Sequence, residues 1–266
     1  MKLREHSPWW RRGLRRLGHR GLHRAENNGD PRIDRNGELW LLHELLAAYA
    51  ATKPARPFVA CDAGANQGAY TRLILQEARA AGVAAEVHVF EPSPHCLDQL
   101  RRAFGAEPAV HLNGAALAER PGAAALFGGA EGSSLASLVP RPVLAAEAAQ
   151  TVQVPLLSLG DYLTARGLAR LDLLKLDVEG SELAALRGLG AQLRPEVVDV
   201  IQFEYGGTTL DAGTTLRDLY ELLTARGYLV AKLFPDALEV RGFQPWMENY
   251  AYANYVALAP RWRRVR

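Results

Sequence analysis

The sequence predicts an α/β fold: a doubly wound, mostly parallel sheet with helices on both faces and an N-terminal helical extension. Three observations predict it. From residue 58 onward short apolar runs alternate with amphipathic stretches of about ten residues, the pattern of right-handed strand–helix–strand units in a parallel sheet. The first run ends in an acid and a glycine-rich turn, Asp62-Ala63-Gly64-Ala65-Asn66-Gln67-Gly68, before a helical pattern begins. Later runs also end in acids, at Glu91 and Asp177, where open α/β sheets carry their ligand crevice. The 266 residues, 48% apolar and 23% charged, fit one such domain with extensions and exclude a disordered or collagen-like chain.

The elements follow in order. Residues 1–31 read as a basic arm and a turn-rich linker closing on Asn27-Asn28-Gly29-Asp30-Pro31. Within 32–55, Leu39, Leu42, Leu45, Leu46 and Tyr49 recur at helical spacing, predicting a helix over 39–49 that packs on the body. The main domain spans 56–260. Its strands are expected at 58–62, 86–90, 110–112, 171–177, 197–205, 228–234 and 254–259. Helices are expected at 70–81, 94–104, 181–189 and 215–226. An Ala/Gly-rich insert, 118–157, carries two short strands at 123–128 and 151–156. Residues 261–266 form a basic tail.

Charge is distributed unevenly. The formal net charge is +2, but residues 1–24 and 261–266 hold twelve of the 31 basic side chains and one of the 29 acids. The body between them carries about −9, too acidic for a broad nucleic-acid face built on Lys and Arg. The N-terminal segment has no uninterrupted apolar core of signal-peptide length. It reads either as a solvated arm or as a short basic helix with Trp9, Trp10, Leu14, Leu17 and Leu22 on an anionic membrane. No apolar stretch reaches bilayer length. Cys61 and Cys96 are too few for a disulfide framework and lack metal-ligand spacing, so a cytoplasmic, reducing setting is expected, with membrane-peripheral attachment as the variant.

The glycine turn lets the backbone fold sharply and approach a ligand closely. Its spacing is not the G-x-G-x-x-G of a pyrophosphate site, and Asp62 at the strand end repels phosphate. Glu91 stands where such sheets hold two ribose hydroxyls. An acid at each of two strand ends and no phosphate turn favour S-adenosylmethionine over NAD.

These residues carry a family resemblance. DAGANQGAYT, VFEPSPHCLDQL and LLKLDVEGSELAALRGL resemble the FkbM-type methyltransferases over about residues 56–230, with IQFEY at 201–205 and Arg226-Gly227-Tyr228 also in place. The resemblance implies a Rossmann-like, seven-stranded class I methyltransferase sheet with its last strand antiparallel. It further implies an S-adenosylmethionine-dependent enzyme, chiefly methylating hydroxyls of sugars and natural products.

On the cofactor side the expected residues are Asp62, Gly64, Asn66, Gly68, Glu91, Ser93, Asn113 and Ala115, with Gly114 and Ala116 beside them; Ser93 reads equally as a helix N-cap. On the acceptor side they are Asp177, Glu179 and Glu204, which either raise one carboxyl into the range of a general base or bind a divalent cation such as magnesium. Glu182 reads as a first-turn helix acid and Lys175 as a structural ion pair. His88 and His111 read as buried neutral histidines. Gly132-Ser133-Ser134-Leu135 reads as a loop that closes over the site or as a plain connection. The segment 246–255 reads as an aromatic and amide platform for a sugar or as core packing. A catalytically silent, membrane-peripheral scaffold is the competing function. A base-amine methylase is disfavoured, because the segment after the fourth strand reads Asp177-Val178-Glu179-Gly180 with no proline.

Overall fold

The computed structural model describes residues 9–52, 55–128, 136–140 and 151–263. Helix α1 (Trp9–Ala25) replaces the solvated arm with an ordered element, and α2 (Glu38–Ala51) follows the linker. Strand β1 (Phe58–Ala63), helix α3 (Ala69–Ala80), strand β2 (Ala85–Phe90), helix α4 (Pro94–Phe104) and strand β3 (Val110–Asn113) give the first two crossovers. Pro94 in the first turn and Ser93 at the N-cap start α4 where the sequence places it. The insert forms β4 (Ala116–Leu117), β5 (Gly122–Leu126) and β6 (Val152–Leu157), a separate three-stranded sheet ordered β4-β6-β5. Helix α5 (Leu159–Arg166), absent from the sequence reading, leads to β7 (Leu173–Leu176) and α6 (Glu182–Arg187). The chain ends with β8 (Val200–Tyr205), α7 (Gly207–Asp211), α8 (Leu216–Ala225), β9 (Leu229–Phe234), β10 (Ala237–Val240) and β11 (Ala253–Leu258).

The main sheet is ordered β10-β9-β11-β8-β7-β1-β2-β3. Strands β3, β2, β1, β7 and β8 pair in parallel, while β11 runs antiparallel between β8 and β9. Eight strands stand where seven were expected. The eighth is β10, which folds back on β9 as a hairpin and covers its free edge.

Side chains alternate across this sheet, so β1 feeds both cores. Cys61 and Ala63 pack with Tyr162, Leu163, Leu186, Leu219 and Leu223 from α5, α6 and α8. Phe58 and Ala60 face the other way, against α2, α3 and α4. Leu41, Leu42, Leu45 and Leu46 of α2 are all buried there. At about 1.5–3 kcal/mol per buried leucine, those four side chains bind α2 firmly to the body. That seating matters for the site, because α2 brings Glu38 beneath the sheet's central strands.

Candidate active site

The carboxyl ends of β1, β2, β7 and β8 open onto a cavity of about 470 Å³. Gly64 and Asn66 form one wall and Glu91 another, with Asp177, Glu179, Ser181, Glu204 and Tyr252 across from them. Ala115 and Ala116 line it after β3, and Leu126, Ala136 and Leu138 of the insert cover part of it.

Backbone proximity shapes the turn after β1. Gly64 has φ +79°, and a Cβ there would stand 1.8 Å from the Asp177 carbonyl oxygen. Only glycine lets the turn lie against the end of β7, where Asp177 N–H donates to the Ala63 carbonyl at 3.0 Å. Asn66 at φ +49° and Glu179 at φ +50° are non-glycine residues in the left-handed region, and both line the cavity. Backbone strain of this kind gathers at functional sites.

Glu91 is nearly buried, and its two oxygens accept the Asn66 and Ser93 N–H groups, each at 2.8 Å. Burial pushes its carboxyl up, against the pull of those two donors. Across the cavity a buried ammonium organises the acids. Lys175 Nζ lies 3.0 Å from Asp177 Oδ2 and 3.7 Å from Glu38 Oε1, over the Tyr70 ring. Burial alone would lower its pKa, but Asp177, Glu38, Glu204 and Asp62 together hold it well above the ordinary ammonium value. Glu204 accepts the Tyr252 hydroxyl at 2.8 Å. Burial, reinforced by the charge of Asp177, pushes the Glu204 carboxyl well above its ordinary value. A carboxyl so placed can exchange a proton with a group bound in the cavity.

Residues 62–230, which supply nearly all of this wall, match the family model described as the methyltransferase FkbM domain. The chain belongs to the FkbM methyltransferase family. It is 29% identical over 223 residues to methyltransferase sdnD of Sordaria araneosa, spanning 66% of this chain and 83% of that protein. Methyltransferase FkbM from Methylobacillus flagellatus KT aligns at 16% identity and a TM-score of 0.45, over 85% of this chain and 62% of that one. The DszA carbon methyltransferase aligns at 13% identity and a TM-score of 0.47, over 82% and 52%.

Within this FkbM domain the structure gathers Gly64, Asn66, Glu91, Ala115, Asp177, Glu179 and Glu204 at the cavity. Four expected cofactor residues lie off its wall. Asp62 is buried beneath the turn, accepting the Thr71 hydroxyl at 2.6 Å and facing Lys175. Gly68, at φ +78°, gives way to Leu100 and Phe104 of α4, which a Cβ would strike at 2.7 and 2.5 Å. Ser93 Oγ accepts the Cys96 N–H as the N-cap of α4. Asn113 Nδ2 donates to the Val89 and His111 carbonyls and to the Tyr162 hydroxyl oxygen, bracing β3 from inside.

The three acceptor-side carboxylates also depart from the cation-binding alternative. Among the described residues, the only trio of His, Cys, Asp or Glu whose ligand atoms lie within 4.8 Å of one another is elsewhere, at Glu86, His88 and His111. Lys175 supplies the positive charge between Asp177 and Glu204 instead. Glu182 does more than start α6: its Oε1 accepts the Val178 and Gly180 N–H groups and closes the turn that displays Glu179. Gly132-Ser133-Ser134-Leu135 lies outside the described residues. In the segment 246–255, Met247 and Tyr255 are core, Trp246 is exposed, and Tyr252 reaches the cavity.

Sequence reasoning missed Glu38 and Gln202. Gln202 accepts the Tyr70 hydroxyl and donates to Glu38 Oε1 and Asn254 Oδ1, joining α2, α3, β8 and β11 in one buried network. A glutamate and a glutamine placed 164 residues apart carry no local signal. The glutamine inside the apolar run of β8 is the one hint, since a buried amide needs partners.

Proposed function

We propose that the chain is an S-adenosylmethionine-dependent O-methyltransferase acting on a hydroxyl of a sugar, glycolipid or glycosylated metabolite. Glu204 carries the reading: a cavity carboxylate raised by burial and by Asp177, steered by Tyr252, is a general base matched to an alcohol.

The cavity suits that cofactor. S-adenosylmethionine presents a sulfonium, an amino group and a ribose but no phosphate, and the described lining contains no Lys or Arg. Glu91 keeps lone pairs for two ribose hydroxyls after accepting one N–H on each oxygen. Gly64 and Asn66 would hold the methionine end against Asp177, with Ala115 beside the adenine. When bound, the cofactor supplies a methyl carbon already activated by positive sulfur. The chain's own work is to orient the acceptor and receive its proton at Glu204, while Lys175 holds the Asp177 side chain in place alongside.

Helix α1 favours an acceptor at a membrane surface. It carries six arginines and no acid. Trp10, Leu14 and Leu17 recur on one face, 47%, 62% and 70% exposed. Its root is fixed beside the cavity: Gly29 N–H donates to the Tyr252 carbonyl, Lys232 donates to Asn28 Oδ1, and Pro31 lines the cavity itself. An apolar stripe flanked by arginines suits an anionic bilayer, at about 1 kcal/mol per arginine near the surface. No described helix is long and apolar enough to cross one.

The test is transfer from methyl-labelled S-adenosylmethionine to a panel of glycosides and lipid-linked saccharides, with and without anionic vesicles. Label in an alkali-stable methyl ether supports the reading. Label confined to amines or carbon contradicts it, and cofactor binding without transfer to any acceptor returns the silent-scaffold reading. A chain lacking residues 1–24 should keep its turnover on soluble glycosides and lose vesicle binding.

A further inference from the structure

At the opposite end of β2 from the cavity, three side chains from two strands converge. Glu86 and His88 stand two residues apart on β2 and therefore project to one face of the sheet. His111 on β3 is the parallel-register partner of His88, and the two rings stack with centroids 4.7 Å apart and planes 15° from parallel. Both Nε2 atoms point at one oxygen: Glu86 Oε1 lies 2.9 Å from His111 Nε2 and 3.3 Å from His88 Nε2.

His88 is the informative member. Its side chain is 3% exposed, yet its buried Nε2 makes no hydrogen bond. Its other nitrogen, Nδ1, lies 2.9 Å from the Tyr162 hydroxyl oxygen of α5, which Asn113 Nδ2 also approaches at 3.2 Å. In the tautomer that has Nδ1–H donating to Tyr162, the lone pair falls on Nε2, facing Glu86. An imidazole whose far nitrogen is pinned by a hydroxyl, while its near nitrogen faces a carboxylate oxygen shared with a second imidazole, has the usual setting of a metal-bound histidine.

We propose that Glu86, His88 and His111 form a binding site for one zinc-class divalent ion, which staples edge strand β3 to β2 and α5. Zinc bonds of about 2.0–2.2 Å to nitrogen and oxygen put tetrahedral ligand atoms about 3.3 Å apart, close to the two separations seen here. Two imidazoles and a carboxylate match zinc rather than magnesium, which takes oxygen ligands. Glu86 and His111 are each about a third exposed, at 31% and 33%, which gives the ion an entry path and leaves water the fourth position. Five residues of strand at about 3.3 Å each separate Glu86 from Glu91, so the ion stands about 16 Å from the ribose-side carboxylate. None of the trio lines the cavity. The role is structural: β3 is the sheet's open edge, and the segment after it supplies Ala115 and Ala116 to the cavity wall.

The test uses the full chain without an affinity tag, stripped with a chelator, dialysed and titrated with zinc chloride by calorimetry. Parallel titration with Co²⁺ reads visible absorption. Variants Glu86→Gln, His111→Gln and the double variant His19→Gln/His23→Gln are compared, the last because those two α1 rings also lie close together, at 4.0 Å. One equivalent of zinc is expected, with affinity at least 100-fold weaker in Glu86→Gln and His111→Gln and unchanged in the α1 double variant. Tm should rise by about 5–10 °C at a hundredfold excess of zinc over Kd in the wild type alone. Glu86→Gln removes only a partly exposed charge, so it reports on the site even where His111→Gln does not fold. Absence of zinc uptake by the wild type, or equal uptake by wild type and Glu86→Gln, overturns the proposal and leaves a glutamate–histidine ion pair.

Discussion

Replacing Lys175 with methionine removes the buried cation around which the acids of this site are arranged. Its ammonium lies 3.0 Å from Asp177 and 3.7 Å from Glu38. At an effective dielectric constant near 20, those separations correspond to about 5.5 and 4.5 kcal/mol of attraction, before the cost of burying the charge is subtracted. Breaking a buried pair from one side leaves its partner uncompensated and typically costs about 3–5 kcal/mol. At roughly 2–4 °C per kcal/mol for a domain of this size, Lys175→Met should lower Tm by about 6–20 °C at pH 8. The pH dependence sets this apart from lost packing. Asp62 and Glu204 already have raised pKa values in the folded chain, so the folded state holds their protons more tightly than the unfolded one. Stability from such groups is greatest at low pH and declines as pH rises through the folded pKa. Without the ammonium that decline steepens, so the Tm gap between wild type and variant should widen from pH 5 to pH 8. Differential scanning calorimetry of both proteins across that range checks it. A variant within 2 °C of wild type at pH 8, or a gap independent of pH, would refute the assignment of Lys175 as the central cation.

Three further outcomes follow from the same geometry. Gly64→Ala places a Cβ against the Asp177 carbonyl at φ +79°, a left-handed conformation that costs roughly 1–2 kcal/mol before the clash; calorimetry should show S-adenosylmethionine affinity reduced at least tenfold. Glu204→Gln should lower kcat by about 10²–10⁴-fold, and the wild-type acid limb of kcat, rising with pH at unit slope to a pKa above 4.5, should vanish in steady-state profiles of the variant. Glu182, pushed by burial to about 7, is favoured in its protonated form. Its contribution is full at low pH and lost as pH rises from about 4.5 through 7, so Glu182→Gln should flatten the stability–pH curve there in urea titrations.

The fold was legible because its signals are local. Helix 94–104 could be placed from a serine N-cap, a proline and an apolar stripe, and β1, β2 and their turn from apolar runs closed by acids and glycines. Helix α5 was missed because the segment Leu159–Arg166 is short, follows directly on the Ala/Gly-rich insert and has a weak apolar stripe. The site was legible at strand ends and not beneath them. Glu91, Asp177 and Glu204 follow from position in a strand–helix unit, but Asp62 has the same position and points below the turn, toward Lys175 and Thr71. The parity of a strand end against its neighbour decides which way such an acid faces, and register is a tertiary property. Glu38 and the Glu86–His88–His111 trio depend on contacts between distant segments and leave no motif.

Cofactor binding is the claim on which the functional account stands. Isothermal titration of the purified chain with S-adenosylmethionine and, separately, NAD, repeated on Glu91→Ala, tests it directly. The account predicts micromolar binding of S-adenosylmethionine, at least 100-fold weaker in the variant, and no binding of NAD. A well-folded chain that ignores S-adenosylmethionine, binds it equally after Glu91→Ala, or prefers NAD would contradict it.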